Sequence, residues 1–221
     1  MANGRQAAAK RLSMAERAQQ MLDLHFPGAD ARYMWHRKVN DGFSTIPRTL
    51  PIVMQAVDAV SKGKPPGHVL FCLWSRSPDN PLIMIENPST FAAEAGFNGE
   101  RAVDTWRKRM KRLRELSMIM TKPGASGEFH YVLLINPNTG VEWMRSHGMV
   151  QDGLYGRFID RMAEVGAIGE IEGIREYWAE QVAAAEAAKA ATAADSSPSK
   201  SPASRRARKR KTQQKDVEGS T

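Results

Sequence analysis

Apolar residues recur at helical spacing through most of the chain, and the pattern changes between residues 82 and 135 into short β-prone runs on either side of a long basic helix. Residues 1 to about 25 pattern as an exposed helix, with Leu12, Ala15, Ala18, Met21, Leu22 and Leu24 set among Arg and Gln. Ser13 with Glu16 three residues on is a capping-box arrangement, and Pro27-Gly28 ends the helix. Thr45 and Pro47 fit a helix start, followed by Leu50, Val53, Met54 and Val57 at helical spacing, with Pro51 tolerated in the first turn. Gly63–Gly67 reads as a loop and His68–Ser75 as a second apolar helix, closed by a turn over Pro78–Pro81.

Leu82–Glu86 is a short β-prone run. Pro88-Ser89-Thr90 opens a short helix, Phe91–Ala95, which Gly96 stops. A long helix follows from Glu100 to about Ser117, then a strand over Met118–Thr121, a turn over Lys122–Gly127 and a second strand over Glu128–Ile135. Val141–Ser146 and Gly153–Val165 pattern as short helices. Ile171–Ala194 patterns as a longer one, its far half mostly alanine: good for helix propensity, poor for burial. Ser196–Thr221, Ser/Pro-rich and then basic, reads as a disordered tail. The expected organisation is a helical extension over 1–40, a core with its leading helices over 41–137, a helical region over 138–194 and the tail over 195–221.

The long helix carries two contrasting faces. At about 100° per residue, Ala102, Val103, Trp106, Met110 and Leu113 fall together as a core stripe. Arg101, Thr105, Lys108, Lys111 and Arg112 fall opposite, mixed with Asp104 and Glu115, while Arg107, Arg109 and Arg114 flank the stripe. Strand, short helix, tight turn, long basic helix and hairpin, preceded by Val69–Ser75 or the helix before it, is the order of a winged helix-turn-helix over Asn80–Asn136. The expected fold is therefore mainly α with a small β-hairpin wing (α+β), built on that core.

The run from Ser89 to Ile135, STFAAEAGFNGERAVDTWRKRMKRLRELSMIMTKPGASGEFHYVLLI, resembles the winged helix-turn-helix superfamily. DGFSTIPRTL over Asp41–Leu50, with AGFNGERAVDTWRKRMKRL, also resembles a group of poorly characterised proteins of bacterial plasmids and integrative elements. The second resemblance implies a mobile-element setting, with transcriptional control, replication and maintenance all open.

Charge sharpens the picture. The chain has 32 Lys and Arg against 24 Asp and Glu, a net charge of +8, which favours a polyanionic partner. Most of that excess sits in the tail, where eight basic residues face only Asp216 and Glu218. A cationic surface on the folded part must therefore come from segregation, and Glu100–Ser117, with seven basic and three acidic residues, supplies it.

The expected partner is double-stranded DNA, with a homodimer matched to palindromic half-sites as one option. Arg101, Thr105, Lys108 and Arg112 are spaced to face one major groove, where Arg reads guanine and Thr offers a hydroxyl or methyl group. Lys111 is placed for phosphate. Ser89 or Thr90 either donates to a phosphate or serves as the N-cap of its helix. Lys122 and His130 on the hairpin are candidates for backbone or minor groove. Arg205, Arg206, Arg208, Lys209, Arg210 and Lys211 add salt-sensitive affinity without sequence reading, or only solubilise. The aromatic–basic stretch Tyr33–Lys38 leaves Trp35 open between core and surface, and Arg37 and Lys38 as candidate extensions of the DNA face.

Other classes find little. One cysteine, Cys72 in an apolar run, excludes an intramolecular disulfide framework and reads as a buried inert thiol. The five histidines lack metal-ligand spacing, and neither a Walker loop nor GxSxG occurs, so no enzyme, cofactor or metal is expected. No run reaches the roughly 20 apolar residues of a bilayer span, and no signal-peptide stretch opens the chain, so a cytoplasmic, nucleoid-associated protein is expected. The competing expectation is a winged helix used for protein contact, marked by a covered basic face or by an exposed apolar patch elsewhere. RNA binding is a third option, without a recognised module signature.

Overall fold

The computed structural model describes residues 16–37 and 39–195. The expected helix over the first fifteen residues, Lys38, and the tail with Arg205, Arg206, Arg208, Lys209, Arg210 and Lys211 lie outside the described residues. The chain divides into two compact units, Met1–Arg175 and Glu176–Thr221, so that residues 41–137 share one body with most of the helical region that follows.

Helix α1 covers residues 16–25 and is exposed along nearly all of its length. A 3-10 turn, Ala31–Tyr33, leads into the aromatic–basic stretch. Trp35 there is 63% exposed, set edge-on to Phe43 with ring centroids 5.9 Å apart, so it belongs to the surface. The Arg37 guanidinium lies 5.0 Å from the Phe43 ring centroid.

Helix α2 (Leu50–Ala59) starts later than Thr45 or Pro47, with Pro51 in its first turn and Leu50, Val53, Ala56 and Val57 buried. Thr49 stands at its N-cap but makes no capping bond. Its hydroxyl donates instead to Asn138 Oδ1 at 2.6 Å, a buried link between residues 89 apart in sequence. Helix α3 (Gly67–Ser75) begins where the Gly67 amide donates to Asp58 Oδ1 at 2.7 Å.

Strand β1 (Leu82–Met84), helix α4 (Pro88–Glu94), helix α5 (Ala102–Glu115) and strands β2 (Ile119–Gly124) and β3 (Gly127–Leu134) follow in order. The sheet is antiparallel throughout with order β1-β3-β2. The molecule is thus mainly helical with a small three-stranded sheet. Helices α6 (Pro137–Ser146), α7 (Asp152–Val165) and α8 (Ile168–Asp195) complete it. Residues 176–195 of α8 are the described part of the second unit.

Local chemistry sets these boundaries. Asn87, not Ser89 or Thr90, caps α4: its side-chain oxygen accepts from the Ser89 amide at 3.0 Å, and Pro88 fills the first helical position. Gly96 ends α4 at φ +81°, a left-handed conformation that frees the Phe97 amide to reach the Ala92 carbonyl at 3.0 Å. Ser117 ends α5 in the same way at φ +55°, with the Met118 amide on the Leu113 carbonyl at 3.0 Å, and β2 begins at once.

The core lies between the helices and the inner face of the sheet. Trp106, Met110 and Leu113 of α5 are all 1% exposed or less, each stabilising the fold by about 1.5–3 kcal/mol relative to an exposed position. Trp106 meets Phe91 of α4 and Phe129 of β3, with centroids 6.3 and 5.8 Å away. At the end of the first unit, the buried Glu142 carboxylate accepts from Arg175 Nε and from the Tyr155 hydroxyl, both at 2.6 Å. Burial first, then Glu142, pushes the Tyr155 phenol above its ordinary range.

The hairpin departs from expectation in two ways. Strand β2 runs through Pro123 to Gly124, and the turn shrinks to Ala125-Ser126. Pro123 is tolerated because β2 is an edge strand and the register shifts between Lys122 and Gly124. That irregularity turns Phe129 inward beside His130, which already shares the buried side of β3 with Val132 and Leu134.

His130 is therefore 7% exposed rather than presented on the wing. Its Nδ1 lies 2.9 Å from the Ser126 hydroxyl and 3.1 Å from the Ile85 carbonyl. A Cβ on Gly124 would sit 2.2 Å from His130 Cδ2. Gly124→Ala is accordingly expected to destabilise by about 1–3 kcal/mol through overpacking. A lower urea midpoint at unchanged m checks it, and an unchanged midpoint would show that the ring can yield.

Candidate nucleic-acid interface

Helix α5 presents its polar side along one face of the first unit. Arg101 is exposed just before the first helical residue, Thr105 is half-buried, and Lys108 and Lys111 are exposed. The acidic residues on this side are partly answered: Asp104 pairs with Arg107 at 3.6 Å and Glu115 with Arg112 at 3.0 Å, both as (i, i+3) pairs. Exposed pairs of this kind contribute little to stability, but they reduce the local negative field.

Arg112 does not point freely into solvent as the helical spacing suggested. Its Nη2 donates to the Val60 carbonyl at 2.7 Å, its Nε to the Ser61 hydroxyl at 3.2 Å and its Nη1 to Glu115 at 3.0 Å. These bonds fasten the turn after α2 to the side of α5. Between turn and helix lies a shallow groove of about 400 Å³, with Lys62 and Lys64 on one wall, Lys108, Lys111 and Arg112 on the other, and Glu115 as the acid among them. Lys62 and Lys64 went unrecognised in the sequence. They stand about fifty residues from α5, and nothing in their spacing signals the juxtaposition.

On the hairpin side of α5 the positive charge is partly offset instead. Glu128 at the start of β3 pairs with Arg114 at 2.7 Å and lies 3.7 Å from Lys111. Arg114 also donates to the Thr121 hydroxyl at 3.1 Å and lies over the Phe129 ring. Lys122 is exposed, but on the outer face of the sheet, where it lines a second hollow with Met120, Tyr131, Leu133 and Leu82. It is thus set apart from the groove residues, and His130 is buried. Ser89 and Thr90 are exposed in the first turn of α4.

The outer face of the sheet is the other unusual surface. Leu82 and Leu133 are cross-strand partners, as are Met84 and Tyr131, and Met120 pairs with Leu133 from the other side. These five side chains are between 37% and 60% exposed.

Cys72 is buried, and burial first, then the charge of Glu94, raises its thiol. Glu94 itself is held below the usual carboxylate range chiefly by its hydrogen bond from Arg76. Among the described residues no group of three or more His, Cys, Asp or Glu gathers as a metal site, and no helix is long and apolar enough to cross a membrane. Comparison of the chain with family models, with curated proteins and with solved structures finds no match.

Proposed function

We propose that the chain binds double-stranded DNA through a winged helix-turn-helix made of α3, β1, α4, α5, β2 and β3, as a transcriptional regulator or a replication or maintenance protein of a mobile element. In this reading α4 braces α5, and the outward side of α5 enters a major groove. Arg101, Thr105 and Lys108 face base edges, and Lys111 faces phosphate. The observation that carries the reading is the segregated cationic face of α5, reinforced by Lys62 and Lys64 from a distant turn. The tail cations add salt-sensitive tethering.

The test is a salt series of binding to random duplex DNA, read by fluorescence anisotropy. It uses the full chain with Arg205, Arg206, Arg208, Lys209, Arg210 and Lys211 replaced by alanine. Affinity that persists and falls linearly in log salt supports the reading. Complete loss of binding with the tail charges overturns it.

A second reading, a protein-contact module, has its own observation in the apolar outer face of the sheet. Its occupant is a second copy of the chain, the same patch meeting itself about a two-fold axis. Sedimentation velocity is then expected to show a concentration-dependent dimer that Met120→Lys dissociates. A wild-type chain that stays monomeric to high concentration removes this reading.

A further inference from the structure

We propose that the turn between α2 and α3 is the flanking phosphate clamp of the DNA face, that Arg112 is its positioning residue, and that the hairpin does not fill this role. The proposal rests on the duplex-DNA reading above and says which elements grip the backbone beside α5.

The hairpin has little to offer a phosphate. Its turn, Ala125-Ser126, carries no charge, and Glu128 at its base already engages Arg114 and Lys111. Lys122 faces outward from the opposite side of the sheet, and His130 is buried against Ser126 and Ile85. On this side of α5 the Glu128 carboxylate, shared by Arg114 and Lys111, lowers the positive field offered to a phosphate.

The other side of α5 is built the opposite way. The Lys64 amide donates to the Ser61 carbonyl at 3.0 Å, and the chain passes through φ +20° at Lys62 and +73° at Gly63, which makes a compact turn. Both lysines are exposed and line the same groove as Lys108 and Lys111. Arg112 holds this turn in place through Val60 and Ser61, and its guanidinium is engaged at all three nitrogens. Arg112 thus acts on DNA through Lys62 and Lys64, not by touching it. Two walls of lysine separated by a shallow groove suit a polyphosphate strand, because each ammonium remains hydrated until it exchanges counterions with the backbone.

The experiment measures the slope of log affinity against log salt in the full chain with the six tail cations as alanine. Lys62→Ala/Lys64→Ala is expected to make the slope shallower by about 1.8, since each phosphate that a lysine neutralises is worth about 0.9. Lys122→Ala is expected to leave it unchanged. Arg112→Ala is expected to reproduce most of the effect alone and to add nothing in the Lys62→Ala/Lys64→Ala background. General damage to the fold would weaken binding in both backgrounds, so additive effects overturn the positioning role. An unchanged slope in Lys62→Ala/Lys64→Ala, with Lys108→Glu abolishing affinity, overturns the clamp and leaves the DNA reading standing. If Lys108→Glu also changes nothing, the DNA reading itself fails. A slope that responds to Lys122→Ala instead returns the role to the hairpin.

Discussion

Lys108→Glu/Lys111→Glu, introduced into the chain whose six tail cations are alanine, is expected to abolish measurable binding to duplex DNA at physiological salt. With the phosphate facing Lys111 no longer neutralised, the salt slope measured at lower salt becomes shallower by about 0.9. The reversal goes further, because Asp104 and Glu115 share this side of α5. Two added carboxylates invert the sign of a face whose positive character rests on few residues. At 0.15 M salt the screening length is about 8 Å, so the repulsion acts wherever a phosphate could seat. Glu128→Gln works in the other direction: it releases Arg114 and Lys111 from their shared partner and should tighten binding while steepening the slope. An affinity indifferent to both changes would mean that α5 does not face DNA.

The largest expected effect on stability is that of Trp106→Ala, a decrease of about 3–5 kcal/mol. Trp106 is 1% exposed and lies between Phe91 and Phe129, so one side chain joins α4, α5 and β3. Its neighbours are themselves covered by cations, Arg76 over Phe91 at 4.6 Å and Arg114 over Phe129 at 5.6 Å. Removing the indole leaves both rings facing a cavity that helix and strand backbones cannot close. Against a typical total stability of about 5–15 kcal/mol, such a decrease takes a large share. Urea denaturation followed by circular dichroism measures it, since the fluorescence reporter is itself changed. A decrease under about 1 kcal/mol would contradict the described packing.

Periodicity made most of the elements legible. The apolar stripe containing Trp106, Met110 and Leu113 fixed which side of α5 is buried, and Gly96 marked the end of α4 because a left-handed residue is needed there. The failures have separate physical causes. Asn87 won the α4 cap over its neighbours Ser89 and Thr90 by a hydrogen bond from a position earlier than the composition suggested. Pro123 concealed the length of β2, since the residue that weakens a strand signal is tolerated on an edge. His130 alternates regularly with buried Val132 and Leu134, and only Phe129 beside it departs from that alternation, at the register shift near Gly124. Helical spacing correctly put Arg112 on the polar side but carried no information about Val60 and Ser61, which reach it only through the tertiary fold. Lys62 and Lys64 were invisible for the same reason.

The passage from α5 to β2 is a single left-handed residue, Ser117, with the Met118 amide bonded back to Leu113 and the Ile135 amide on the Met118 carbonyl. No slack separates the basic helix from the sheet whose outer face is apolar. On the proposed reading, a rotation of α5 on seating would be passed to that sheet face. If both proposed readings hold, coupling between the two surfaces is the expected outcome, and by linkage an occupant of the sheet and a ligand on the helix would change each other's affinity by the same factor.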